Sequence, residues 1–151
     1  MKHILLAALV LLLIQSGCSA PSQQRVPFPS QDVTVTRDDL ARIYFVRVGW
    51  VGIVSDEVRV FDADTEIGGL TSGTYLCWER AGGRTVGRVV YDPPGPGVEA
   101  LEGYTDMDCP AGRAYYFGVT IDRQRGDPSI QLLDPEEGRR LVSERDPAGS
   151  G

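Results

Sequence analysis

The chain has 151 residues, 42% of them hydrophobic and 8% aromatic, with 15 basic and 21 acidic side chains and a formal charge of −6. Its one lysine and one histidine, Lys2 and His3, sit at the extreme N-terminus, so everything beyond residue 17 sets 14 arginines against 21 carboxylates. That composition excludes Ser-His-Asp and Cys-His nucleophile activation, imidazole metal ligation and Schiff-base lysines, each for want of the residue type. The acidic balance argues against a nucleic-acid partner, whose phosphates demand a basic face.

The first predicted element is an export signal. Ile4 to Ile14 is unbroken apolar sequence, preceded by Lys2 and His3 and followed by small residues. Eleven residues are too few to span a bilayer, which takes about 20 in a helix. A charged start, a short apolar middle and a small-residue end describe a signal segment. Two readings of its end stand. Cys18-Ser19-Ala20 supplies small residues for ordinary cleavage after Ala20. Alternatively Ser16-Gly17-Cys18 after a Leu/Ile run resembles the lipobox of bacterial lipoproteins, with Gln15 in the place usually held by an apolar residue. The lipobox reading is preferred: residues 1–17 are the signal, Cys18 is lipidated, and residues 18–39, polar and proline-containing, form a flexible tether about 25 Å in average span.

Cysteine parity gives a separate argument. Capped or cleaved away, Cys18 leaves Cys77 and Cys109 as an even pair in an oxidising compartment. A bridge between them would close a loop of about 33 residues and stabilise by roughly 3–4 kcal/mol. The alternative is two buried thiols acting as small apolar residues.

Residues 40–144 form one small domain, and 145–151 a frayed tail. Within it, Ala41 to Val48, Glu57 to Phe61, Thr74 to Arg80, Arg84 to Tyr91, Arg113 to Ile121 and Ser129 to Leu133 are rich in Val, Ile, Tyr, Phe and Thr, and read as strands. DADTE before Ile67, Ala81 to Gly83 and Cys109 to Gly112 read as hairpin connections, and Asp92 to Gly97 as a longer proline-rich loop. Near the end, Asp134 caps, Pro135 suits the first helical position and Glu137 the capping-box acid of a short helix. The expected fold is mainly β, a small antiparallel β-sandwich or partly open barrel with one short C-terminal helix.

Few residues point to chemistry. Asp62, Asp64 and Glu66 alternate like a calcium loop, but Ile67 and Gly73 stand where an EF-hand needs Gly and Glu, so a solvated hairpin is the better reading. Asp106 and Asp108 are the candidate carboxylate pair of a hydrolase, with surface charge the simpler account. Gly69 to Gly73 holds a serine between glycines without a histidine to activate it. Trp50 and Val51, flanked by glycines between the first two strands, are the candidate partner contact, the competing reading being Trp50 folded over the core edge. No catalytic residue, metal or cofactor is expected.

The order and spacing of ARIYFVR, VRVFDADTEIGGL, SGTYLCWERAGGRTV, AGRAYYFGVTI and PSIQLLDPEEGRRLV over Ala41 to Val142 resembles the bacterial lipoproteins that carry the domain of unknown function numbered twenty-eight forty-six. The resemblance implies an envelope-attached, mostly β domain with no assigned site. The expectation is therefore an exported lipoprotein facing the periplasm, held to a membrane by its lipid. Its partner would be another envelope component, protein or glycan, and it would do no chemistry. The alternatives are a structural or assembly accessory of the envelope and a carboxylate-based hydrolase.

Overall fold

The computed structural model describes residues 24–25, 35, 37–49, 57–122 and 124–148. Among the described residues ten strands and one helix follow in order: β1 (Gln24–Arg25), β2 (Leu40–Arg47), β3 (Val58–Asp62), β4 (Thr65–Leu70), β5 (Thr74–Ala81), β6 (Gly83–Tyr91), β7 (Leu101–Cys109), β8 (Ala114–Ile121), β9 (Pro128–Leu132), α1 (Pro135–Ser143) and β10 (Asp146–Pro147). One sheet runs β1-β5-β2-β8-β9, with β10 also on β5. The other runs β4-β3-β6-β7. The expected mainly β sandwich with a short C-terminal helix is the fold observed.

Strand alternation explains the layers. On β2, Ala41, Ile43 and Phe45 point between the sheets, where Leu76, Trp78, Phe117 and Val119 of the same sheet meet Val58, Val60, Leu70, Val89, Met107 and Cys109 of the other. The opposite face of β2 is also covered: Tyr44 and Val46 join Tyr75, Cys77 and Tyr116 beneath Leu141 and Val142 of α1. A strand buried on both faces reads as a continuous apolar run, as ARIYFV does.

The helix forms as its sequence dictates. Asp134 Oδ1 accepts from the Glu136 amide at 2.8 Å, Pro135 occupies the first position, and Arg140 reaches Glu144 at 2.9 Å one turn on. Gly138 lets it seat closely, since a methyl there would overlap Cβ and Cγ of Tyr116.

Several expectations are corrected. Ala81 to Gly83 and Cys109 to Gly112 are not hairpins but corners, each passing the chain from one sheet to the other. They meet at one end of the sandwich. The Gly82 amide bonds to Asp39 O at 3.2 Å and the Gly112 amide to Leu40 O at 2.8 Å, and a side chain at Gly82 would overlap Ala111. Because the second corner delivers β8 beside the start of β2, those two strands run parallel, from Arg42↔Ala114 to Arg47↔Val119. TEIGGL, the return arm of the DADTE hairpin, is β4, and LEGYTDMDC, not among the six expected strands, is β7. The tail is not frayed through Ala148: β10 pairs with Thr74 and Tyr75, and the Ala148 amide bonds to Tyr75 O at 2.8 Å. Gln24 and Arg25, within the expected tether, pair antiparallel with Glu79 and Trp78.

Candidate functional site: the outer face of strands β6 and β7

Inward-facing residues of the four-stranded sheet fill the core, so the alternate set forms its outer face. Register places these side chains in rows. Phe61, Arg88 and Tyr104 line up across β3, β6 and β7, with Arg59, Val90 and Glu102 in the next row. Val86 faces Asp106, and Arg84 faces Asp108. The Arg88 guanidinium lies 4.0 Å from the Phe61 ring centroid and bonds to Glu102 Oε1 at 3.1 Å. Arg59 lies 5.9 Å from the same ring and is held by Asp92 at 3.0 Å. These two guanidiniums lie over Phe61, which is only 7% exposed although it faces outward. Tyr104 is 58% and Val86 41% exposed beside them.

The Tyr104 hydroxyl donates to Glu102 Oε2, and this bond is the main reason that the Glu102 carboxyl titrates below, and the Tyr104 phenol above, its ordinary value. Glu102 thus receives from both Arg88 and Tyr104, which fixes its orientation. The result is an amphipathic patch with two exposed apolar groups in a field of paired charges. Chemically it can stack, and it can exchange hydrogen bonds through guanidinium and carboxylate at once. Arginines and acids offset one another, so it does not select a polyanion.

Buried polar contacts beneath hold the patch. Asp62, at the end of β3 next to Phe61, is fully buried. It accepts from Trp78 Nε1 at 2.9 Å and Thr85 Oγ1 at 2.7 Å, while Arg80 Nε lies 3.0 Å away as an ion-pair contact without hydrogen-bond alignment. One carboxylate therefore ties β3 to β5 and β6, across both sheets. This corrects the reading of 62–66 as a wholly solvated hairpin: Asp64 and Glu66 are exposed, Asp62 is not. Among the described residues no three His, Cys, Asp or Glu side chains converge as a metal would require. On the other sheet, Arg42 donates from Nε at 3.0 Å and Nη2 at 2.9 Å to Glu79 Oε1, a buried pair beside the helix-covered tyrosines.

The residues singled out from the sequence fall as follows. Cys18, Trp50 and Val51 lie outside the described residues. Cys77 and Cys109 are free thiols, and the expected disulfide is not made. Alternation explains why: Cys77 points outward from β5 under α1, and Cys109 points inward from β7, so the two belong to different apolar clusters. Burial pushes the Cys77 thiol up to about 12 and that of Cys109 up to about 11. Asp106 and Asp108 are exposed on β7, and Asp108 is paired with Arg84 at 3.3 Å. Sequence reasoning missed Phe61, Arg88, Glu102 and Tyr104. The signal available was the alternation of charge across GRTVGRVVY and LEGYTDMDC, which becomes meaningful only once the two are paired. Among the described residues no helix is long and apolar enough to cross a membrane. No protein-family model, curated protein or solved structure matches the chain.

Proposed function

We propose that this is an exported, lipid-anchored domain that binds another component of the cell envelope, protein or glycan, through the outer face of β6 and β7, without performing chemistry. The address comes from Cys18 and the apolar run before it. The binding role is supported above all by Tyr104 and Val86, which stay exposed amid guanidinium–carboxylate pairs that are already satisfied. A surface of this kind offers an aromatic anchor ringed by oriented polar groups, the composition that recognition patches favour. The absence of lysine and histidine after residue 17 supports the non-enzymatic part, since the common general bases and amine nucleophiles are missing.

A photo-crosslinking amino acid placed at Tyr104 in living cells tests it, with Glu136 on the exposed side of α1 as the control position. The expected result is a light-dependent adduct from 104 and none from 136. A discrete band marks a protein partner, and a heterogeneous adduct collapsed by a cell-wall hydrolase marks a glycan. No adduct from 104, or equal adducts from both positions, overturns the assignment of the face.

A further inference from the structure

We infer that pairing of β1 with β5 clamps the tether and fixes which way the domain faces the membrane, a step that rests on lipid attachment at Cys18. Gln24 and Arg25 pair with Glu79 and Trp78 on the edge of β5 away from β2. Only six residue steps separate Cys18 from Gln24. At about 3.5 Å each they reach about 20 Å at most. A domain of this size is about 33 Å across, from its expected radius of gyration near 13 Å. The anchor therefore cannot reach around it, and the β5 edge, with the corners at Gly82 and Ala111 close by, faces the bilayer.

Strands β7 and β9, at the opposite margins of their sheets, then face away, and with them the exposed Tyr104. The same strand pairing that shortens the tether points the candidate binding face into the compartment. Were β1 released, the 22 residue steps from Cys18 to Leu40 would span about 26 Å on average and about 75 Å at full stretch, leaving orientation unconstrained. β1 is thus a clasp that sets both reach and direction. A partner strand that took its place on β5 would lengthen the tether.

The test uses the full lipidated chain in phosphatidylglycerol–phosphatidylethanolamine vesicles containing a nitroxide-headgroup lipid. A small fluorophore is attached in turn through Ala81→Cys, at the end of β5, and Ser129→Cys, on β9. Both positions are exposed, and strand spacing and rise put them roughly 30 Å apart. Quenching at 81 is expected to exceed that at 129 by about threefold, given a reach of about 20 Å from the anchor. Replacing Gln24 and Arg25 together by proline, which cannot donate to the ladder, is expected to bring the ratio close to one while the Trp78 fluorescence of the folded domain is kept. Equal quenching in the parent, or an unchanged ratio in the proline variant, overturns the clasp. Cosedimentation read on each sample separates this from failure of the anchor: a chain that never binds vesicles defeats lipid attachment. Amide exchange at Trp78 and Glu79, of which one amide faces β1 and the other β2, then judges the pairing alone: faster exchange at the β1-facing amide in the proline variant supports it, and no change at either overturns it.

Discussion

The two thiols carry the plainest energetic signature among single residues. Burial raises Cys77 to about 12 and Cys109 to about 11, whereas an unfolded cysteine titrates near 8.5. Folded pKa values above unfolded ones give stability that is complete below about pH 8.5 and lost as pH rises toward 11–12, because the unfolded chain gives up its protons first. Between about pH 8 and 9.5 we expect a loss of about 2–3 kcal/mol from the two thiols together. Measured as the urea midpoint between about pH 8 and 9.5, the decline is expected to flatten in the Cys77→Ala, Cys109→Ala double variant, below the ionisation of unfolded tyrosine near 10. Both thiols should react with a thiol reagent only on unfolding, and an intact mass unchanged by reduction would agree. A mass that rises on reduction would restore the bridge. Parity suggested that bridge because counting cysteines is blind to the side of a strand on which each falls. The same blindness hid Asp62, whose partners Trp78, Arg80 and Thr85 arrive from strands that the local DADTE sequence does not mention.

At the level of elements, α1 was legible because its signals are local: a capping Asp134, Pro135 after it, and Glu137 in the first turn. What the local sequence did not carry is the approach of α1 to the sheet, which is set by Gly138 against Tyr116. Gly138→Ala should gain about 1 kcal/mol in helix propensity and lose more to overlap, for a net destabilisation of about 1–3 kcal/mol. Chemical denaturation gives the number. Near-ultraviolet dichroism should also report a disturbed Tyr44–Tyr116 stack, now 4.8 Å between centroids and 13° between planes. An Ala variant more stable than the parent would contradict the close seating. Strand β7 escaped detection for a related reason: its Gly, Glu and Asp content argues against a strand, yet Gly103 is needed because the Pro128 carbonyl occupies the space of a side chain. The glycine-containing corners were seen as reversals, but local chemistry fixes only that the chain turns, not which sheet receives it.

For the whole molecule, strand content and the sandwich were readable from short β-branched and aromatic runs separated by turn residues. The parallel β2–β8 pair was not, since it follows from two corners meeting at one end. Both terminal segments add to the same edge: β1 covers β5 at Trp78–Glu79 and β10 covers it at Thr74–Tyr75. This blunts an edge that would otherwise invite another chain. It also ties the sandwich to the segment that follows Cys18, which makes attachment to a membrane the claim on which orientation and binding face depend. Fractionation of cells producing the parent chain and Cys18→Ser, with a metabolically labelled fatty acid, tests it most directly. The account predicts a labelled, membrane-bound parent and an unlabelled variant that leaves the membrane fraction; a Cys18→Ser chain that stays fully membrane-bound would contradict it.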